Sequence, residues 1–186
     1  QNNGKNIIVF DGDSTVYGAA GQGEILHRAR PWQEGMILAA TEGKIADVQS
    51  ETAAVYDAII IGLRHLDHVR GSKNQFLLGT SGGIDSSVVV CMLVQAFGPE
   101  RVFAVNMPTR FNSSITQDNA HQLCSALGVD YLSAPIEDLY ENLARKIKCT
   151  EFAAGPGNYT RLVDENIQAR IRGADILAGM AAKYGL

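Results

Sequence analysis

The residues best suited to chemistry are Ser81-Gly82-Gly83-Ile84-Asp85-Ser86-Ser87, which follow the apolar run Leu77-Leu78-Gly79 and Thr80. Two adjacent glycines let the backbone take positive φ and approach a ligand with no Cβ in the way. The free N–H groups of such a turn, and of a helix start behind it, form a nest for an anion that the helix dipole strengthens. Ser81, Ser86 and Ser87 can donate to phosphate oxygens. Asp85 would repel a phosphate, so it makes sense as a Mg²⁺ ligand that brings the metal to the phosphates. Two common nucleotide loops are excluded, because the segment has neither the lysine of GxxxxGK[ST] nor the spacing of GxGxxG. A plain glycine-rich turn with capping serines uses the same residue types. The place of this one, between a strand and a helix, favours the anion site.

The remaining reactive side chains form no constellation. Cys91, Cys124 and Cys149 are widely spaced, and no CxxC or Cys/His pattern suggests zinc. Cys91 and Cys124 read as small hydrophobes on helices, and Cys149 as exposed. His27, His65, His68 and His121 share no spacing, and no third ligand accompanies the His65/His68 pair. Glu137 and Asp138 open a helix, where acidic residues favour the dipole.

Positioning the loop requires a β/α frame. Gln75 to Gly79 reads as a strand, Asp85 to Phe97 as a helix, Val102 to Asn106 as a strand and Ser114 to Leu127 as a helix closed by Gly128. Val129 to Ala134 is a third strand, Ile136 to Lys148 a helix, Glu151 to Tyr159 a mobile loop, and Leu162 to Tyr184 a final long helix. Strands alternating with helices imply a parallel sheet. The nearly all-apolar helix carrying Val88, Val89, Val90, Met92, Leu93, Val94 and Phe97 is expected to be buried. Upstream, Val55, Ile59, Leu63 and Leu66 recur at helical spacing over residues 50 to 69. Before that, Ile7 to Phe10, Ser14 to Tyr17, Glu24 to Arg28 and Met36 to Ala40 are short strand candidates. The first segment starts abruptly and the last stops where another strand is expected, so the chain reads as a piece of a larger protein.

Ser81-Gly82-Gly83-Ile84-Asp85-Ser86 resembles the pyrophosphate loop of the ATP-pyrophosphatase superfamily, which includes NAD, GMP and asparagine synthetases and tRNA-thiolating enzymes. Asn106-Met107-Pro108-Thr109-Arg110-Phe111-Asn112-Ser113-Ser114 is similar to the Met-Pro-Ser-Arg-Tyr-Ser-Ser stretch of glutamine-dependent NAD synthetases. Glu165-Asn166-Ile167-Gln168-Ala169-Arg170-Ile171-Arg172-Gly173 resembles their Glu-Asn-Leu-Gln-Ala-Arg-Ile-Arg-Gly helix. Val9-Phe10-Asp11-Gly12-Asp13-Ser14, Gly23 to Leu26 and Arg30 to Glu34 resemble the closing strands of a nitrilase-type glutaminase domain.

The resemblance implies an α/β, parallel-sheet, adenine-nucleotide alpha hydrolase-like (PP-loop) fold behind a short β-rich nitrilase-like tail. Residues 1 to 46 would close the glutaminase domain, 47 to 74 link, and 75 to 186 form part of the synthetase domain. It further implies that ATP and Mg²⁺ bind at Ser81, Gly82, Gly83, Ile84, Asp85, Ser86 and Ser87, with Asp85 on the metal. Backbone groups of Val105 to Met107 would meet adenine, Arg110 would lie near the nucleotide, and Asn166 and Arg170 would bind deamido-NAD. The activity implied is amidation of deamido-NAD through an adenylate, with ammonia from glutamine, in an assembly of at least two copies. A solvated loop position remains open for Arg110, and a surface pair for Asn166 and Arg170. A GMP synthetase-like pyrophosphatase, or a nucleotide-binding piece without turnover, remains the alternative. None of the three cysteines inherits the glutaminase nucleophile, whose motifs would lie upstream of Gln1. A Gly-Asn-Lys-x-Glu loop with a further metal ligand would lie beyond Leu186.

Bulk properties agree with a small-molecule enzyme. The chain has 186 residues, a net charge of −4 and 46% hydrophobic residues. An acidic balance without basic runs offers no footprint for nucleic acid or a membrane surface. The longest apolar runs fall far short of the roughly 20 residues that span a bilayer. Free thiols and the absence of a signal-peptide core fit the cytoplasm.

Overall fold

Turn chemistry at Gly12-Asp13 launches the first hairpin of the computed structural model, which describes residues 10–18, 24–36, 49–71, 73–151, 155 and 157–185. Thr15–Tyr17 (β1) and Ile25–Arg28 (β2) pair antiparallel, inside two of the expected strands. The other two candidates lie outside the described residues except for Phe10 and Met36, which are not in strands. Arg28 Nε donates to Asp13 Oδ1 at 2.7 Å and Nη2 donates to Oδ2, a two-pronged bond across the hairpin. That bond holds the Asp13 carboxyl below its usual pKa.

Glu51–Val69 (α1) starts at Ser50, whose Oγ accepts from Ala53 N at 3.3 Å in an N-cap. Gln49 bridges into it, accepting from Trp32 Nε1 at 3.0 Å and donating to Asp57 at 2.5 Å. The chain divides into two compact units, residues 1–73 and 74–186.

In the second unit Phe76–Gly79 (β3), Val102–Asn106 (β4) and Asp130–Ser133 (β5) form a parallel sheet in the order β3-β4-β5. Ile84–Phe97 (α2) connects the first pair and Ser114–Leu127 (α3) the second. Gly128, at φ 71°, closes α3 in the left-handed conformation that glycine adopts without strain. Glu137–Lys148 (α4), Arg161–Arg170 (α5), a π-helical turn Ile171–Leu177 and Ala178–Tyr184 (α6) complete the chain.

Period-2 alternation along the strands divides the core into two layers. Leu78, Val102 and Ala104 pack with Val90 of α2, Cys124 of α3 and Val129. Leu77 and Val105 pack on the other side with Ile136, Tyr140, Ala144, Ile167 and Ile171. Burial raises the Cys124 thiol pKa, in keeping with a packing role, and Cys149 is exposed.

Two expectations need correction. Helix α2 is not buried all round: Val90 is 0% exposed, whereas Val88 and Val89 are 42% and 47% exposed. One face of α2 packs on the sheet and α3, and no described residue covers the opposite face. The final helix is also not one regular helix. Buried or half-buried positions run 163, 167, 171, then 176 and 180, a step of five where α geometry predicts four. The π turn absorbs the extra residue, and Ala178 N reaches back five residues to Gly173 O. Regular α spacing puts Ala174 beside Ile171 on the apolar face; it is exposed, and Ile176 takes that place.

The amino-terminal edge of the sheet is pinned separately. The rings of Phe76 and Phe97 stack 4.0 Å apart, and the Arg101 guanidinium lies over both at 5.5 and 5.2 Å. Arg101 Nε and Nη2 donate to Asn74 O at 2.9 and 2.5 Å.

Candidate functional site

Parallel α/β sheets leave a crevice at the carboxyl ends of their strands, and the glycine-rich turn leaves β3 there. Thr80 N donates to Val105 O at 2.9 Å, which extends the β3–β4 ladder by one residue and fixes the start of the turn. Gly82 follows at φ +78°, and a Cβ there would lie 1.8 Å from Thr116 O and 3.1 Å from Ala120 N. Only glycine lets the turn sit this close to α3. Gly83 is the N-cap of α2 with no side-chain cap.

The serines knit the turn together locally. Ser86 Oγ and Ser87 Oγ donate to Gly83 O at 3.0 and 2.9 Å. Ser81 N donates to Ser86 Oγ at 3.3 Å, and Gly83 N to Ser81 Oγ at 3.3 Å. These hydroxyls can turn toward an anion by rotation about a single bond. Ile84 is 76% exposed, and Asp85 is exposed with no partner among the described residues. No group of three His, Cys, Asp or Glu able to hold a metal occurs among the described residues, so Asp85 stands as a single protein carboxylate.

Beside the loop, Gly79, Thr80, Ser81, Asn106, Met107, Asn112 and Arg172 line a cavity of about 180 Å³. Its wall contains two orphaned polar groups: Thr80 Oγ1 and Asn106 Nδ2 are buried without a hydrogen-bond partner. Register pairs Gly79 with Val105, so Thr80 and Asn106 follow as neighbours across the strands. The backbone carbonyls nearby are already engaged. Val105 O accepts from Thr80 N, Asn106 O from Ala134 N at 2.8 Å, and Met107 O from Arg172 Nε at 3.1 Å.

The opposite wall comes from the far end of the chain. Arg172 Nη2 donates to Gln168 Oε1 at 3.2 Å and to Asn112 Oδ1 at 3.4 Å. Thr109 Oγ1 lies 3.0 Å from Gln168 Oε1 and 3.2 Å from Asn112 Oδ1. Burial lowers the Arg172 pKa, and no described carboxylate pairs with it. An arginine held only by neutral acceptors keeps its charge available to an anion.

The helix is tied down by a carboxylate between two phenols. Tyr140 and Tyr159 each donate to Asp164 Oδ1, at 2.7 and 2.5 Å. Burial, then the bond to Asp164, pushes the Tyr159 pKa up to about 12. The bonds from Tyr159 and Tyr140 hold the Asp164 carboxyl below its usual range.

The expected site residues do not all converge. The loop residues, Val105 and Met107 meet at the carboxyl edge of the sheet, although Val105 and Met107 bury their side chains. Arg110 lies outside the cavity lining: its Nε is 3.0 Å from Glu137 and its Nη1 3.1 Å from Glu141. Asn166 and Arg170 are exposed on α5, and Asn166 Nδ2 donates to Leu162 O at 2.9 Å. Sequence does not distinguish Arg172, Gln168, Asn112 or Thr80 as site residues, and it implicates Asn106 only through its backbone. The spacing of Gln168 and Arg172, four apart like Asn166 and Arg170, was the available signal.

The chain as a whole is similar to known proteins. The profile of the NAD synthase family matches residues 56–186. The glutamine-dependent NAD(+) synthetase of Xanthomonas campestris is 33% identical over 195 residues, covering 98% of this chain and 33% of that protein. The Aquifex aeolicus protein of the same name is 39% identical over 146 residues, covering 76% of this chain and 24% of that one. Among solved structures, the glutamine-dependent NAD+ synthetase of Acinetobacter baumannii, in complex with adenosine diphosphate, superposes with a TM-score of 0.71. It is 27% identical and covers 88% of this chain and 31% of that one. The NH3-dependent NAD synthetase of Campylobacter jejuni, in complex with nitrate, gives 0.58 at 25% identity, covering 72% and 53%. The chain thus spans about a third or less of the curated relatives' length.

Proposed function

The chain belongs to the NAD synthase family, and from that premise we propose that it is the ATP-binding part of a glutamine-dependent NAD synthetase. Residues 1 to 46 close a nitrilase-like glutaminase domain, 47 to 74 link, and 75 to 186 begin the synthetase domain. The nicotinate carboxylate of deamido-NAD attacks the α-phosphorus of ATP, and pyrophosphate leaves with the bonding electrons. Ammonia from glutamine then attacks the adenylate's acyl carbon, AMP leaves, and a proton is lost to give the amide of NAD.

This chain's contribution is placement and charge neutralisation. The N–H groups and hydroxyls of Ser81 to Ser87 take the β- and γ-phosphates. Asp85 fits Mg²⁺, because a lone exposed carboxylate suits a metal that keeps its waters and shares substrate phosphates. Such an ion would neutralise charge on the departing pyrophosphate. The adenosine end lies against Val105 to Met107, and Arg172 offers a cation to the nucleotide. Asn166 and Arg170, one turn apart on an exposed face, take deamido-NAD. Arg110 would have to leave Glu137 and Glu141 to reach the ATP. The parent is a cytoplasmic homo-oligomer, and the 186-residue piece alone binds nucleotide without turnover.

The observation that carries this reading is the open serine-glycine turn beside a cavity lined by an arginine held only by neutral acceptors and by two orphaned polar groups. Calorimetric titration tests it. Mg-ATP should bind saturably, at least about tenfold more weakly after Asp85→Ala, with the melting temperature unchanged. Deamido-NAD should bind and XMP should not. Failure of ATP to bind both this chain and one extended beyond Leu186 would overturn the reading.

A further inference from the structure

Family resemblance points to backbone groups of Val105 to Met107 as the reader of adenine, yet all three carbonyls there accept internal hydrogen bonds. Adenine's exocyclic amine needs an acceptor, and the ring nitrogen beside it needs a donor. A primary amide offers both at matching spacing, which is why asparagine pairs with the N6/N7 edge of adenine in other settings. Asn106 is such an amide. It is 3% exposed, lines the cavity, and its Nδ2 has no partner. The neighbouring Thr80, 2% exposed, adds an equally unpartnered hydroxyl. Leaving a buried polar group unpaired is destabilising, and two such groups side by side in one cavity wall suit a ligand that would satisfy both.

We propose that the Asn106 side chain, flanked by Thr80, is the determinant that selects adenine over other bases. The inference rests on the site read above as the ATP site. The amide accepts from the exocyclic amine and donates to the ring nitrogen. Guanine, with a carbonyl in place of that amine, presents two acceptors to the same group and leaves the amide oxygen unpaired.

Substitution at Asn106 separates a ligand role from a packing role, because the two predict opposite changes. Replacing an orphaned buried amide by an apolar group of similar size relieves desolvation, so Asn106→Leu should melt at the same temperature or higher. Its ATP affinity, by calorimetry with Mg²⁺, should fall by at least about tenfold, and its preference for ATP over GTP should vanish. Asn106→Asp, which only accepts, keeps the bond from adenine's amine but loses the one to its ring nitrogen and offers guanine's two acceptors nothing, so it should weaken ATP and GTP alike and leave ATP its lead. Inorganic pyrophosphate should bind all three chains alike, since it uses the loop alone. Unchanged ATP affinity and ATP/GTP preference in Asn106→Leu would overturn the proposal while pyrophosphate binding leaves the loop standing. Loss of pyrophosphate binding in the unsubstituted chain would instead overturn the loop reading. An Asn106→Leu chain that fails to fold, together with an Asn106→Asp chain whose ATP affinity is unchanged, would make the amide structural and overturn the proposal as well.

Discussion

The two walls of the cavity are built on different length scales. The Ser81–Ser87 turn is held by bonds between residues two to five positions apart. The facing wall is held by Gln168 and Arg172, whose partners Thr109, Asn112 and Met107 lie 59, 60 and 65 positions upstream. A locally bonded turn needs only its own residues and one close neighbour to form. A wall assembled across the chain needs the helix in register, the strands in place and the connecting segment tied down. The turn should therefore fail through its backbone, and the wall through its side chains and their anchors.

The largest effect expected from that contrast is at Gly82. Gly82→Ala combines a left-handed φ with a Cβ 1.8 Å from a backbone carbonyl. It should cost about 3 kcal/mol or more and abolish ATP binding, read by thermal melts and calorimetry. A variant that melts and binds normally would show that the turn is not seated on α3.

Arg172→Ala should come next, at about 2 kcal/mol of stability, because a charged donor to three acceptors is lost. It should weaken ATP or deamido-NAD by about tenfold while leaving inorganic pyrophosphate binding in place. Equal loss of all three ligands would dissolve the distinction between the walls.

The smallest effect belongs to the phenol that anchors the wall. Tyr159→Phe should cost about 1 kcal/mol near neutral pH. Tyr159 titrates near 10 when unfolded and about 12 in the folded chain, so its contribution is complete below pH 10 and is lost as pH rises through 12. Alkaline melts should fall away more steeply in the unsubstituted chain than in Tyr159→Phe over that interval. Parallel curves would remove Tyr159 from the anchor.

The same contrast explains what could be read in advance. The turn, the strands and the α2 and α3 crossovers are legible because glycine pairs, capping serines and apolar periodicity act over one or two turns. Arg172 was not, although it stands two residues from Arg170. Nothing local distinguishes an arginine that will turn inward to Met107 from one that stays exposed. The π turn hid for a related reason: a period of 3.6 residues places Ala174 on the apolar face, and the step to Ile176 is dictated by packing under β3 and β4. Arg110, the one basic residue in the loop after β4, looked available to an anion until the fold brought Glu137 and Glu141 beside it. The apolar outer face of α2 marks the opposite limit, since composition predicts burial without saying by what.

The stack of Phe76, Phe97 and Arg101 on Asn74 O has a kinetic consequence. It closes the strand–helix–strand segment 74–106 with contacts among residues that leave the ribosome together. Short loop closures form early and cost little chain entropy. During synthesis the serine-glycine turn can therefore be assembled while residues 161–185 are still inside the exit tunnel. The nascent chain then presents the serine-glycine turn with no far wall, and the cavity is completed when the helix carrying Gln168 and Arg172 emerges.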